Sequence, residues 1–157
     1  MFRYFRLTTE FIDIKRRGFE LADPTILEPA GANPLLEGEF LELDANYKMV
    51  RNTGDGLLPA FACVSESGRY ETQAIQKSAF LFLGAYEAET KVFDASLEAT
   101  ITTAGQALMV NDVTIGALTR RGLTALPGSP AGTEFTIGYV TKLPANNNGW
   151  LRFARHR

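Results

Sequence analysis

Residues 135–155 read FTIGYVTKLPANNNGWLRFAR, and apolar and polar side chains alternate near both ends of this stretch. Such alternation is typical of a strand with one buried face. Asn148-Gly149 separates the two alternating runs, and Asn-Gly is a strong turn signal because both residues tolerate positive φ. The stretch therefore predicts a C-terminal β-hairpin. Its inward-facing residues are predicted to be Phe135, Ile137, Tyr139, Leu143, Leu151 and Phe153.

The same pattern recurs through residues 35–157, which we predict to be a β-rich body. Strand candidates follow one another every ~8–12 residues with Gly and Asn/Asp turns between them, as in a β-sandwich or small β-barrel. Residues 70–82 fit a short helix as well as a strand. The predicted fold class is mainly β, a small β-barrel or β-sandwich. The upstream strand candidates are Gly38–Asp44, Ala60–Val64, Gln73–Ile75, Ala79–Leu83 and Leu97–Thr103.

A faint internal repeat favours the barrel. Residues 38–44 (GEFLELD) match residues 105–111 (GQALMVN), with a glycine, two apolar residues two positions apart and a turn-forming Asp or Asn. Two similar β-units that close on one core would produce this match. Chance similarity between two strand–turn segments would also produce it. The inward residues predicted by the repeat are Leu41, Leu43, Leu108 and Val110.

Residues 1–34 are predicted to form an extended N-terminal arm and a crossing segment in front of the body. Prolines at positions 24, 29 and 34 remove backbone donors and favour extended conformations in the residues before them. Aromatic residues at positions 2, 4, 5, 11 and 19 make the arm too apolar for a freely solvated tail. We therefore expect the arm to pack on its own domain or on a neighbour.

The composition argues against several classes of enzyme. The chain has 157 residues, which favours a single domain. Cys63 is the one cysteine, so neither an intrachain disulfide nor a thiolate metal cluster can form. His156 is the one histidine, which nearly rules out histidine-based catalysis or metal binding. We therefore expect a protein that is not an enzyme and that uses no cofactor and no metal.

The sequence also carries no predicted targeting segment. Its N-terminal residues are charged throughout and lack the apolar run of a secretory signal. The most apolar stretch, residues 78–86, is about half the ~20 residues that a membrane-spanning helix needs. We expect synthesis in the cytoplasm and no membrane partner.

Charge is distributed unevenly along the chain. Residues 22–112 contain fourteen acids and five bases, whereas residues 1–21 contain five bases and three acids. The last ten residues contain three arginines and no acid. Basic ends on an acidic body suggest docking on something acidic, which includes a second copy of the chain. Terminal charges that are simply solvated are the other interpretation.

Two further functions fit parts of the sequence. Basic and aromatic residues interleave in residues 2–6 (FRYFR) and 150–153 (WLRF), which would suit single-stranded nucleic acid on an OB-like barrel. The negative body weighs against a groove that is positive along its length, so nucleic acid is not an expected partner. Carboxylates are dense enough for a small hydrolase, although solvated strand faces carry such residues routinely. The carboxylates concerned are Glu37, Glu39, Glu42, Asp44, Glu87 and Glu89.

A series of turn-and-strand motifs runs through residues 60–157. It includes Gly68-Arg69-Tyr70, residues 80–94 (FLFLGAYEAETKVFD), residues 105–108 (GQAL) and residues 138–153. This series resembles the capsid decoration (cement) proteins of tailed bacteriophages. The N-terminal arm has no counterpart in the resemblance.

The resemblance implies a non-enzymatic virion structural protein that binds and stabilises the outer surface of an assembled phage capsid. Its partner would be the major capsid protein, and the chain would form a homo-oligomer, such as a trimer, at the capsid surface. A head–tail or tail component is the other virion role. Contacts to the capsid or to a neighbouring copy are predicted for Phe2, Arg3, Tyr4, Phe5, Arg6, Arg16 and Arg17.

Overall fold

A computed structural model describes residues 4–8, 15–27, 35–51, 61–62, 78–94, 103–125 and 136–155. The prediction of a mainly β fold is confirmed, since the regular elements in these ranges are strands apart from two short 3₁₀ helices. The helices are Pro24–Leu27 and Pro144–Asn146. The strands are β1 Phe5–Leu7, β2 Lys15–Glu20, β3 Phe40–Leu43, β4 Met49–Arg51, β5 Phe61–Ala62, β6 Ser78–Leu83, β7 Tyr86–Thr90, β8 Ala107–Ile115, β9 Leu118–Ala125, β10 Gly138–Lys142 and β11 Leu151–Arg155.

The largest sheet is a curled half-barrel with the antiparallel order β1-β7-β11-β10-β8-β9. Its curl brings β9 back to the segment that follows β7. The Leu123 amide donates to the Val92 carbonyl at 3.0 Å, and the Leu123 carbonyl accepts from the Asp94 amide at 3.0 Å. Gly122 permits this approach, because a Cβ there would lie 2.6 Å from the Val92 carbonyl oxygen. Of the two architectures predicted, the barrel-like one is observed.

Two smaller sheets complete the described structure. Strand β2 pairs with β6, and β3 lies between β4 and β5. Both faces of β3 are covered, because Phe40 belongs to the half-barrel core while Leu41 packs in a second apolar cluster. Strand β3 therefore separates the two cores. The buried members of the second cluster are Leu21, Leu35, Leu41 and Met49.

Three aromatic rings form the centre of the half-barrel core. Phe5, Tyr86 and Phe153 pack edge-to-face in all three pairs, with ring centroids 6.1–6.3 Å apart. They come from the adjacent strands β1, β7 and β11, so the N-terminal strand is fastened to the half-barrel by its own aromatic side chain. Burial raises the pKa of the Tyr86 phenol above its ordinary value of 10, and the Arg155 guanidinium only partly offsets this effect.

The predicted C-terminal hairpin is confirmed. Strands β10 and β11 pair antiparallel, and the connecting turn places Asn148 at φ 53° and Gly149 at φ 76°. Leu151 and Phe153 are fully buried on its inner face, as the alternation predicted.

The inward orientation of Tyr139 is wrong. Strand β10 begins at Gly138, and its buried residues are Gly138 and Val140, so Tyr139 points outward and is exposed. Ile137 is buried as predicted, but it precedes the strand and therefore does not set the strand's alternation. Leu143 packs against the core at the other end. Phe135 lies outside the described residues.

The internal repeat has a local structural counterpart. Gly38 and Gly105 both have positive φ, and each precedes a strand by two residues. Leu41, Leu108 and Val110 are buried as predicted, but the two leucines belong to different apolar clusters. The predicted burial of Leu43 is wrong, because this residue ends β3 at a hairpin turn and is exposed.

The remaining strand candidates have mixed outcomes. Residues 61–62 and 78–83 are strands, so the strand alternative holds for the end of the 70–82 region. Residues 73–75 and 97–102 lie outside the described ranges.

Candidate functional site

The predicted contact residues lie in different environments. Tyr4 is half-buried next to β1, the Phe5 ring is in the core, and the Arg6 side chain lies on the outer face. Arg16 and Arg17 lie on β2, in backbone register with Phe82 and Leu81 of β6. Residues 2 and 3 are outside the described ranges.

A row of charged side chains crosses the outer face of three adjacent strands. Arg6 on β1 is in register with Glu89 on β7, and Glu89 is in register with Arg152 on β11. The Glu89 carboxylate accepts from Arg6 Nε and from Arg152 Nε and Nη2, the last two at 2.9 and 2.7 Å. These contacts cover Glu89 almost completely, so it is buried although it points away from the core.

The hairpin turn adds an amide and an indole to this row. Asn147 Nδ2 donates to Glu89 Oε1 at 2.8 Å and to the Trp150 carbonyl at 3.0 Å, which fixes the turn against β7. The Trp150 ring then lies beside two cations. Its centroid is 4.4 Å from Arg6 Cζ and 5.1 Å from Lys91 Nζ, distances at which cation–π attraction operates. We call this group the Trp150 cluster; its members are Arg6, Glu89, Lys91, Asn147, Trp150 and Arg152.

The Glu89 carboxyl is held in its ionised form. Burial acts to raise its pKa, but hydrogen bonds from Asn147, Arg152 and Arg6 outweigh burial and lower the pKa below the ordinary value of 4.5. A carboxyl with a lowered pKa is a poor proton donor near neutral pH. Glu89 is therefore suited to holding strands together and unsuited to the general acid of a hydrolase.

A second buried carboxylate joins two sheets. Glu39 precedes β3 and is fully buried. It forms ion pairs with Arg51 of β4 at 3.3 Å and with Arg120 of β9 at 3.1 Å. It also accepts from the backbone amides of Leu36 and Arg121, at 2.6 and 3.3 Å. We call this group the Glu39 joint, because its two arginines belong to the three-stranded sheet and to the half-barrel.

The interpretation of the acidic run as a solvated strand face is wrong. Glu37, Glu39 and Glu42 are buried, and so is Glu89. The burial of Glu39 and Glu89 follows from arginine partners on other strands, which satisfy the charges that water would otherwise solvate. Asp44 differs, because its Oδ1 accepts the amides of residues 46 and 48 and closes the β3–β4 turn.

Within the described ranges, no three His, Cys, Asp or Glu side chains lie close enough to form a metal site. The same ranges contain no helix that is both long and apolar enough to span a bilayer.

The sequence pattern indicates both ends of the Trp150 cluster but not their contact. The interleaved basic and aromatic segments at residues 2–6 and 150–153 supply Arg6, Trp150 and Arg152, which the sheet brings together. Glu89 and Lys91 were not recognised as members. The alternation in residues 86–90 (YEAET) contains a usable signal, since burial of Tyr86 and Ala88 leaves Glu89 on the outer face.

No protein-family model, curated protein or solved structure is detectably similar to this chain. The resemblance to capsid decoration proteins therefore stays a prediction from the sequence.

Proposed function

We propose that this chain is a non-enzymatic structural protein of a phage particle, which binds and stabilises the outer surface of an assembled capsid. The observation that carries the proposal is the Trp150 cluster, where the N-terminal strand and the C-terminal hairpin present arginine and tryptophan on one outer face. These residue types dominate the binding energy of protein interfaces. In this proposal the partner is the major capsid protein.

The two buried carboxylates support a binding role over hydrolysis. Glu39 and Glu89 are each held by two arginines from different strands, so both carboxylates are engaged in fastening strands. A binding surface works best on elements whose side chains are already fixed. The half-barrel supplies such a support.

The proposed mechanism is mass action on a lattice. A protein that binds the assembled shell and not its loosened form stabilises the assembled form. Many copies of modest affinity act together when they occupy one shell. The protein would then be located on the virion surface at high copy number, as a homo-oligomer.

Sedimentation tests this proposal. A native lysate in which the particles assemble is separated on a density gradient, and the fractions are probed for this chain. We expect co-migration with particles at high copy number, and imaging of those fractions distinguishes the capsid surface from a head–tail or tail position. A chain that stays at the top of the gradient would contradict a virion role.

Point substitutions are better suited to this test than removal of the N-terminal arm. Phe5 fills the core between Tyr86 and Phe153, so truncation would destabilise the half-barrel as well as remove Arg6.

Binding of single-stranded nucleic acid is the second candidate. The specific observation in its favour is that Arg6, Lys91 and Trp150 meet on the outer face of a barrel-like sheet, where cations and an aromatic ring are combined. Salt-dependent retention of the chain on single-stranded DNA would support it, and passage through such a column at low salt would reject it.

A further inference from the structure

Two cations with unused hydrogen-bond donors meet at one indole. Arg6 donates its Nε to Glu89, and its two terminal nitrogens make no hydrogen bond to any described residue. The Lys91 ammonium lies by the Trp150 ring and likewise has no hydrogen-bond partner among the described residues. Lys91 is exposed, and half of the Arg6 side chain is exposed. These donors are therefore accessible to a ligand from outside the chain.

The cluster is already ordered before any ligand arrives. Glu89 fixes Arg6 through Nε, and Asn147 fixes both Glu89 and the turn that carries Trp150. Binding to a fixed guanidinium avoids much of the side-chain entropy cost that a mobile arginine would bring.

The local charge favours an anion. Three cations, Arg6, Lys91 and Arg152, face two carboxylates, Glu87 and Glu89, so the face carries one net positive charge. Glu89 is covered by its partners, which leaves the cationic groups on the accessible side.

We propose that the Trp150 cluster binds the carboxylates of an acidic protein segment, through the terminal nitrogens of Arg6 and the ammonium of Lys91. This inference rests on the proposed function in one respect, since the acidic segment would belong to the surface that the chain decorates. A guanidinium presents a planar fork of donors that matches a carboxylate, and the neighbouring ammonium adds a point charge.

The geometry favours a protein carboxylate over nucleic acid. Single-stranded nucleic acid needs a free aromatic face for stacking, whereas Arg6 and Lys91 already lie over the Trp150 ring, at 4.4 and 5.1 Å from its centroid. It also needs positive potential along a groove, and the partly exposed Glu87 carboxylate beside Arg152 interrupts the cations on this face. A short acidic segment needs only the few donors that the cluster offers.

Trp150 is the one tryptophan of the chain, so its fluorescence reports directly on the proposed site. The full chain is titrated at low salt with a blocked hexaglutamate peptide, and the Trp150 emission is recorded. We expect a saturable change that weakens as salt shortens the screening length from roughly 30 Å to 8 Å. A matched hexaglutamine peptide should produce no such change, and absence of a response to hexaglutamate would overturn the proposal.

Lys91→Glu is the decisive variant, because Lys91 is exposed and the Trp150 ring is the one interaction partner of its ammonium among the described residues. Its backbone amide, which donates to the Tyr4 carbonyl at 2.8 Å, is unchanged by the substitution. We expect it to bind the peptide at least about tenfold more weakly, which corresponds to about 1.4 kcal/mol. Lys48→Glu is the control for the charge change, because it makes the same change in the β3–β4 hairpin, where it also breaks the exposed ion pair between Lys48 and Glu20. Equal peptide affinity in wild type and Lys91→Glu would reject the site.

Two further measurements, oligothymidylate binding and the mass of the chain as a function of its concentration, identify the source of the ligand. If oligothymidylate binds more tightly than hexaglutamate, the ligand is nucleic acid and the proposal is wrong. If the mass of the chain rises with its concentration and Lys91→Glu abolishes the rise, a second copy supplies the acidic segment and the site stands.

Ionic quenching provides a measurement that needs no peptide. We expect iodide to quench Trp150 more strongly than caesium does, because the accessible side of the cluster is cationic. Stronger quenching by caesium than by iodide would contradict the positive electrostatic potential that we propose at the accessible side of the cluster.

The proposed carboxylate-binding site and the proposed capsid role can be rejected independently of each other. Peptide binding without decoration of shells would leave the site and reject the capsid role. Equal decoration of shells by wild type and Lys91→Glu would leave the capsid role and reject the Trp150 cluster as the contact to the capsid.

Discussion

The Glu39 joint and the Trp150 cluster are built alike and differ in what surrounds their arginines. Each has a buried carboxylate that two arginines reach from different strands. In the Glu39 joint the arginine side chains are 18% and 8% exposed, and two backbone amides complete the carboxylate's hydrogen bonds. In the Trp150 cluster the arginine side chains are 50% and 34% exposed.

This difference distinguishes arginines that only stabilise the fold from arginines that can also bind a partner. A guanidinium that is buried with its carboxylate has donors that only the chain itself can reach. A guanidinium that is half in water can hold its carboxylate with one edge and present the other edge to a partner. The same pairing of glutamate with arginine therefore stabilises the fold in the Glu39 joint. In our proposal it also binds a partner in the Trp150 cluster.

The largest effect is expected at the Glu39 joint. Glu39→Gln removes the negative charge and leaves Arg51 and Arg120 charged and largely buried, so the free energy of unfolding should fall by about 3–5 kcal/mol. Urea denaturation followed by circular dichroism measures this loss. Asp112→Asn is the control, because Asp112 forms an exposed pair with Arg121 and should change stability by less than about 1 kcal/mol. Equal losses in the two variants would show that burial does not decide the effect.

Glu89→Gln should have a smaller effect. Its arginines can regain water on their exposed sides, so we expect a loss of about 1.5–3 kcal/mol, the range for hydrogen bonds to charged groups. The same urea titration ranks it between Glu39→Gln and Asp112→Asn. A loss as large as that of Glu39→Gln would remove the distinction between the two regions.

Acidification should reveal the Glu89 contribution directly. The pKa of Glu89 is lower in the folded chain than its ordinary value of 4.5, so the unfolded chain takes up this proton first as the pH falls. The stabilisation is complete well above pH 4.5 and is lost as the pH falls through the folded-state value. Urea midpoints measured from pH 7 to about pH 3 should decline more steeply for wild type than for Glu89→Gln. Asp23, whose pKa is lowered by hydrogen bonds from Thr25, titrates in both proteins and drops out of the difference. Parallel curves would contradict the assignment.

The smallest effect on stability is expected for Lys91→Ala. Lys91 contacts the Trp150 ring from an exposed position, and such cation–π contacts contribute about 0.5–1 kcal/mol. The urea midpoint should therefore barely move, whereas the Trp150 emission should change. If Lys91→Ala lowered the free energy of unfolding as much as Glu89→Gln does, Lys91 would stabilise the fold and would not belong to the binding surface.

Alternation and turn residues correctly predicted the parts of the fold that depend on residues close together in the sequence. The hairpin around Asn148-Gly149 and the burial of Leu151 and Phe153 depend on neighbouring residues alone, and they are confirmed. Tyr139 and Leu43 were misplaced because strict alternation does not show where a strand begins or ends.

The burial of Glu39 and Glu89 could not be predicted from such local patterns. Glu39 is buried by Arg120, 81 positions along the chain, and Glu89 by Arg152, 63 positions away. An isolated glutamate in a strand is expected to be solvated, and only pairing across the sheet makes its burial favourable. The sequence could name Arg6 and Trp150 as candidates, but their contact is a product of the strand order.

The contact between β9 and the segment after β7 also bears on how the chain behaves at high concentration. An unpaired strand edge is a template for sheet extension between molecules, and such association increases with concentration. At Leu123 the edge of β9 has its amide and carbonyl already engaged by the segment after β7, and this engagement depends on the missing side chain of Gly122. Gly122 thus allows the chain itself to occupy the edge of β9 at Leu123, a position where a strand of another molecule could otherwise pair.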